Sequence, residues 1–267
     1  MIVDKIYQFL EDETDFGNDE ILDYFLTEVS RGFKRQFMEE KQNKATLRLS
    51  SIGKCMTQQW LNAKGYTPEP FSPRTLITFW QGDLIEACTL SLAKMAGVDI
   101  RREQEEVDIL GVKGHIDGVL YENDKPVAVV EIKSMADFSF KRFSKEGIDN
   151  TFGYESQGIA YATSLGLDKV IWVATNKNTG HMDEYVHTIT DEMKTELIDR
   201  SREILTFDYE DTRPPREYTP DKKGKLPLQC QYCNQKWNCY EEEGLETVIN
   251  KGKPSFYVKQ EDAEEVV

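Results

Sequence analysis

The stretch "VAVVEIKS", Val127 to Ser134, constrains the fold more than any other part of the chain. Four consecutive apolar residues predict a strand that enters a protein interior, yet Glu131 and Lys133 follow them directly. Charged side chains are rarely buried unless something holds them. Side chains alternate faces along a strand, so Glu131 and Lys133 share one side and Ile132 points to the other. Whatever holds the two charges must lie on their side.

The surrounding pattern predicts an α/β fold. In "FSPRTLITFWQGDLIEACTLSLAKMAG" apolar residues recur at helical spacing from about Leu76 to Met95, and Gly97 ends the run. Three strand-like runs follow, at 98–110, 112–121 and 127–133, with "ENDKP" as the turn between the second and third. A helix is expected over 154–165, strands at 169–175 and 184–190 around the turn "NKNTG", and a helix over 191–206. Residues 4–43 read as two helices, Thr212 to Leu228 as a loop rich in proline and lysine, and the last dozen residues as a mobile acidic tail. There are no internal repeats. At 267 residues the chain can bury a sizeable core, and one large domain with helical additions is the expected organisation.

The net charge of -15 argues against a nucleic-acid partner until its distribution is considered. Residues 1–30 carry a balance of -8 and residues 241–267 one of -5, which leaves -2 for everything between. Within that middle lie short basic clusters: Arg31, Lys34, Arg35, Lys41, Lys44 and Arg48, then Lys141, Arg142 and Lys145, then Lys222, Lys223 and Lys225. Any one of them also suits an ordinary solvated face. No run approaches membrane-spanning length and no export signal opens the sequence, so a soluble, cytoplasmic protein with no membrane contact is expected. Five cysteines in such a chain argue against a disulfide framework and leave metal binding open.

Asp117, in "GHIDGVL", is placed across the hairpin from Glu131. The short turn lets the two carboxylates meet at one metal ion, with the carbonyl of Ile132 as a further oxygen ligand. Oxygen donors of this kind suit Mg²⁺ or Mn²⁺. Such an ion polarises a phosphoryl oxygen and acidifies water, while Lys133 orients the water or steadies the charge that develops during in-line attack. Taken alone, an E-x-K pair equally suits the solvent face of an edge strand.

"GHID", then "VVEIK" with Glu131 fourteen positions after Asp117, and helices on either side, together resemble the PD-(D/E)XK nuclease core. The order of that core is helix, three-stranded meander, helix, strand, and this chain follows it from about residue 75 to 175. Ile116 stands where the family's proline would be. The resemblance implies a restriction-endonuclease-like core, a central mixed sheet flanked by helices, with an N-terminal helical segment at 1–45, a nuclease domain at 46–240 and an acidic tail at 241–267. In "ESQGIAYATSLGL", Gln157 and Tyr161 lie at i and i+4 on one helix face, like the Q-x-x-x-Y motif of the RecB-like branch. There the two side chains face the active site and the DNA. Glu86, in "QGDLIEA", stands where that branch carries a Glu or His as a further metal ligand.

"CQYCNQKWNC" supplies Cys230, Cys233 and Cys239, three thiols in one small loop, and Cys55 lies far upstream as a possible fourth. Four thiolates suit zinc or an iron–sulfur cluster equally on ligand type. One cysteine before the core and three after it resembles the iron–sulfur nucleases of the superfamily, including AddB-type recombination nucleases and the CRISPR adaptation nucleases. That resemblance implies a [4Fe-4S] cluster, with Zn²⁺ as the alternative. Cys88 is expected to be a core thiol on the opposite helix face from Glu86. His181 and His187 are scattered, and His115 reads as an ordinary strand histidine on the face of Asp117.

The implied activity is that of a Mg²⁺- or Mn²⁺-dependent deoxyribonuclease, an exonuclease acting on single-stranded DNA or free ends in recombination, replication or phage DNA processing, in a bacterial or phage-infected cell. Nothing resembles a P-loop, so helicase work would belong to a partner, or to a partner recombination protein. Two other classes remain: a catalytically silent DNA-binding module of the same fold, and a zinc-stapled interaction protein. The intact set Asp117, Glu131 and Lys133 argues against the silent module.

Overall fold

The computed structural model describes residues 1–12, 18–39, 47–207 and 211–259. Lys41, Lys44, the expected end of the second helix, the boundary at 45/46 and the last eight residues of the expected tail lie outside them. In chain order the elements are α1 (Ile2–Glu11), α2 (Asp19–Phe37), α3 (Met56–Ala63), α4 (Pro73–Met95), β1 (Ile100–Arg101), β2 (Glu106–Ile109), β3 (Val112–His115), β4 (Gly118–Glu122) and β5 (Lys125–Met135). They continue with α5 (Asp137–Glu146), α6 (Tyr154–Ser164), β6 (Lys169–Asn176), β7 (Met182–Thr188), α7 (Asp191–Thr206), α8 (Leu228–Gln231), α9 (Lys236–Cys239), β8 (Leu245–Asn250) and β9 (Lys253–Val258). Two compact units organise them, one built from Met1–Lys41, Arg48–Gly53 and Ser72–Ser201, the other chiefly from Lys54–Phe71 and Arg202–Val267.

The first unit is a mixed five-stranded sheet, in the order β1-β4-β5-β6-β7, flanked by helices. Helix, meander, helices and strand follow one another in the order expected from the sequence. β5 and β6 run parallel with α6 in the crossover between them, and the other neighbours are antiparallel. β5 is therefore a central strand, which removes the edge-strand explanation of Glu131 and Lys133. Ala128, Val130 and Ile132 on one face of β5 pack with Ile2, Val3 and Ile6 of α1 and with Leu90 and Ala93 of α4. Each such aliphatic side chain contributes about 1.5–3 kcal/mol on full burial. The alternate residues of β5 face α6.

Local chemistry fixes the helix ends. Ser72 caps α4 by accepting the Thr75 amide proton at 3.2 Å, and Pro73 fills the first position, where its missing N–H costs nothing. The amides of Ile2 and Val3 at the start of α1 donate to Oε2 of Glu184 on β7, at 2.8 and 3.2 Å. Gly158 lets α6 lie on the sheet: a Cβ there would stand 2.4 Å from the ring of Trp172 on β6.

The two expected strands at 98–110 and 112–121 are each broken. Arg102 and Gln104 take left-handed backbone, φ 62° and 57°, and turn the chain out of the main sheet after β1. β2 and β3 then pair with each other as a separate ribbon before β4 re-enters. The first break falls in the polar run 101–106, RREQEE, where apolar alternation lapses, but neither left-handed residue is a glycine, so no turn residue marked it. Helix α5 was not expected either. It buries only Phe140 and Phe143, and its remaining residues read as loose charge.

The second unit holds α3, the short helices α8 and α9, and the β8–β9 hairpin around Leu226, Tyr240 and Leu245, with Phe256 and Val258 packed against them. The hairpin lies within 241–267, the stretch expected to be an acidic tail. Its turn is Lys251-Gly252, both at positive φ, and strand alternation on either side was masked by the acidic composition.

Candidate active site

Glu131 sits on the α6 side of β5 and is 0% exposed. Its Oε2 accepts from Lys133 Nζ at 2.9 Å and from Gln157 Nε2 at 3.1 Å. Its Oε1 is buried and makes no hydrogen bond of normal geometry among the described residues, although the Asp117 backbone amide lies near enough to the carboxylate to favour its ionised form. Lys133 Nζ also lies 3.5 Å from Oε1 of Gln157, with the Tyr154 ring at 5.3 Å and the Trp172 ring at 5.5 Å. The alternation of β5 thus delivers the acid and the lysine together to one pocket wall, and α6 supplies the amide that fixes them.

Asp117 precedes β4, whose first residue pairs with Val130, so the ladder leads it to the level of Glu131. Its Oδ2 accepts the Ile132 amide proton at 2.7 Å. Glu86 comes from α4, on the other side, where Gln104 Nε2 donates to its Oε1 at 2.7 Å.

These acids act on one another. Burial, and then Asp117, push the Glu131 carboxyl up to about 8. Burial pushes Asp117 up against the pull of Lys133, and burial with the charge of Asp117 pushes Glu86 well up. Burial alone would pull the Lys133 ammonium down, but Glu131 and Asp117 outweigh it and hold the group above its ordinary value. The cluster is short of positive charge.

Among the described residues, no group of three or more His, Cys, Asp or Glu side chains is spaced as a ready-made metal site. The donor chemistry at the acids nevertheless fits a hard divalent cation, because Oε1 of Glu131 is a buried acceptor without a hydrogen bond of normal geometry and its neighbours are carboxylates. Glu86, Asp117 and Glu131, with the Ile132 carbonyl, are the groups that could hold it.

Of the sequence-predicted residues, Glu131, Lys133 and Gln157 are brought into contact, Asp117 stands just before the neighbouring strand at their level, and Glu86 lies within electrostatic reach of Asp117, Glu131 and Lys133. Tyr161 is different from expectation: it is 2% exposed, behind Gln157, whose Nε2 donates to its hydroxyl at 3.4 Å. It does not face open groove and reaches the site only through Gln157. His115 also departs from expectation, since it ends β3 in the separate ribbon, exposed, and shares no strand with Asp117. Cys88 is exposed on α4, not a core thiol, because its face of the helix is left uncovered. Sequence reasoning missed Gln104, Tyr154 and Trp172. Tyr154 opens the helix of Gln157 and Trp172 alternates along β6, so both were within reach of the same face argument; Gln104, in a turn, gave no signal.

Cys55, Cys230, Cys233 and Cys239 all belong to the second unit, and none is in a disulfide. Cys55 stands at the N-cap of α3, Cys230 in α8, Cys239 at the end of α9 and Cys233 in the turn between the last two. The four thiols lie close enough to repel as anions. Burial and then Cys233, Cys55 and Cys239 push Cys230 up to about 12, and burial first pushes Cys233 to about 11. Donors point at the sulfurs: the Gln235 amide at Cys233 Sγ, 3.4 Å, and Arg213 Nη2 at Cys239 Sγ, 3.2 Å. The four sulfurs are not spaced as a ready-made metal site, although thiols are the ligand type that a thiolate-binding cation takes.

The fold and the acid cluster together define a mixed α/β protein with a buried carboxylate and a lysine side by side on its central strand. No family model matches the chain, and no curated protein does. Solved structures that resemble it include one described as the crystal structure of SSO0001, at 14% identity and TM-score 0.46, covering 81% of this chain and 94% of that one. An alkaline exonuclease, LHK-Exo from Laribacter hongkongensis, resembles it at 14% identity and TM-score 0.45, covering 67% of this chain and 95% of that one. LHK-Exo in complex with dAMP does so at 14% identity and TM-score 0.37, over 60% and 93%. Among the described residues no helix is long and apolar enough to cross a membrane.

Proposed function

We propose that this protein is a Mg²⁺- or Mn²⁺-dependent deoxyribonuclease, an exonuclease that hydrolyses phosphodiester bonds of single-stranded or free-ended DNA. The observation that carries this reading is the fully buried Glu131, with one oxygen held by Lys133 and Gln157 and the other left without a hydrogen bond of normal geometry, beside Asp117. An uncompensated buried carboxylate is expensive, and a catalytic cation is the compensation that fits its neighbours.

Glu86, Asp117, Glu131 and the Ile132 carbonyl are assigned to hold the ion. When bound, it supplies Lewis acidity toward a phosphoryl oxygen and a more acidic water. Lys133, kept protonated by Glu131 and Asp117, serves as a fixed positive charge and a donor to the attacking water, not as a base. Gln157 fixes both charged side chains, and Tyr161 supports Gln157 from behind; these two are positioning residues.

The four cysteines are assigned to a [4Fe-4S] cluster, with Zn²⁺ as the alternative on the same ligands. A helicase or recombination protein is the partner this activity calls for. The test is purified protein incubated with end-labelled single- and double-stranded DNA, with Mn²⁺ and with EDTA. Progressive shortening from an end in Mn²⁺ alone is expected, and intact DNA in Mn²⁺ would overturn the assignment.

A further inference from the structure

The acid cluster leaves α2 unexplained, although this helix lies along α4 beside it. Gly32 marks the close approach: a Cβ there would fall 2.8 Å from Cβ of Asp83. At that crossing Arg35 Nη2 bonds Asp83 Oδ1 at 2.6 Å and Gln36 Nε2 bonds Oδ2 at 3.0 Å. Asp83 is three residues before Glu86 on α4, on the same side of the helix. The charge of Arg35 reaches both Glu86 and Asp117.

One turn further along, on the outer side of the same two helices, three rings gather. Phe33 and Phe37 have centroids 5.0 Å apart, and Trp80 meets them at 6.0 and 6.1 Å, edge to face. Two packed helices bury their large rings between them and the sheet when those rings serve the core. Here Phe33 is 45% exposed and Phe37 41%, while Trp80 is half-buried with its indole nitrogen covered and backs them. Two exposed cations adjoin them along the helices, Lys34 between Phe33 and Phe37 on α2 and Arg74 six residues before Trp80 on α4, while Arg31 is paired with Glu28 at 2.9 Å. In a chain of net charge -15, rings bracketed by cations suit an anionic, ring-bearing partner better than an apolar protein face. Trp80 precedes Glu86 by six residues, about 9 Å along the helix axis. Six residues also turn the helix through about one and two-thirds turns, so the rings stand near Glu86 along α4 but on an adjoining face.

We propose that Phe33 and Phe37, braced by Trp80, form a stacking platform for the unpaired bases of a single-stranded DNA end, with Lys34 and Arg74 holding its phosphates. Every base offers a π face, so such a platform is tolerant of sequence, as a processive end-directed enzyme requires. The proposal rests on the nuclease reading and narrows its substrate to a single strand threaded over α2 and α4 toward Glu131.

The test is fluorescence anisotropy of labelled oligothymidylate with the full chain in EDTA, where no cleavage competes. The double variant Phe33→Ala/Phe37→Ala should bind about 5- to 100-fold more weakly than wild type, while blunt duplex binding changes far less. A second variant, Phe33→Leu/Phe37→Leu, keeps apolar volume without rings and should show the same loss, which separates stacking from folding. Wild-type affinity in the folded leucine variant would overturn the platform, including the case in which this face docks a protein instead. So would failure of the wild type to bind oligothymidylate. Cleavage in Mn²⁺ is scored separately: ring-dependent binding without cleavage supports the platform and removes the nuclease reading alone, whereas cleavage with ring-independent binding removes the platform alone.

Discussion

Gln157 donates from Nε2 to Oε2 of Glu131 at 3.1 Å, the same oxygen that Lys133 reaches at 2.9 Å. One carboxylate oxygen is therefore spent on orientation and the other is left for a ligand. Because Oε1 of Gln157 also lies 3.5 Å from Lys133, a single amide sets the geometry of acid and lysine at once.

Replacing Gln157 by Ala should lower cleavage by roughly 10- to 100-fold, since a hydrogen bond to a charged group contributes about 1.5–3 kcal/mol. Tyr161→Phe removes only the hydroxyl that backs Gln157 and should lower cleavage several-fold with little loss of DNA affinity. Steady-state rates and DNA binding of the two variants check this; a Tyr161→Phe protein that cleaves normally but unfolds readily would make Tyr161 a core residue only.

The pH dependence of stability follows from Glu131. Its carboxyl is raised by burial and Asp117 to about 8, so its contribution to stability is complete below the unfolded value near about 4.3 and is lost as pH rises through about 8. Metal-free protein should therefore melt lower at pH 8 than at pH 5, and Glu131→Gln should flatten that difference. Mn²⁺ should raise the melting temperature more at pH 8, where the carboxylates are ionised. Thermal melts of both proteins with and without Mn²⁺ measure it, and an identical pH slope in Glu131→Gln would contradict it.

Much of this site was legible in the sequence because period-2 alternation in β5 and i, i+4 spacing in α6 are local rules. Alternation alone put Glu131 and Lys133 on one face of β5, whereas i, i+4 spacing tied Gln157 only to Tyr161, and its place beside the acid came from the resemblance to the Q-x-x-x-Y motif. Gln104 was not legible, since it reaches Glu86 from a left-handed turn inside the polar run 101–106, where no glycine marks the turn and one polar side chain looks like the next. The contact of Arg35 with Asp83 spans 48 residues, and no local pattern announces it. The β8–β9 hairpin was hidden by acidic composition, and Cys88 by the assumption that every face of a long helix is covered.

The cysteines give an independent prediction. Cys55 and Cys230 are separated by 175 positions, so a shared metal would close a long loop and its binding free energy would become folding free energy. Cys55→Ser should lose metal and stability together, and Cys88→Ser neither. An iron–sulfur cluster predicts brown protein with broad visible absorption that bleaches when the cluster is destroyed. Colourless, anaerobically purified protein with stoichiometric zinc would replace the cluster by Zn²⁺ and leave the nuclease reading standing.

The most direct measurement is cleavage of end-labelled single-stranded DNA in Mn²⁺ by wild type, Glu131→Ala and Lys133→Ala, each shown to be folded by its circular dichroism. Wild type should shorten the DNA from an end, and both variants should lose at least about 100-fold in rate, as removal of one electrostatic stabiliser does elsewhere. Wild-type cleavage by folded Glu131→Ala would show that the buried carboxylate of β5 is not the centre of the reaction.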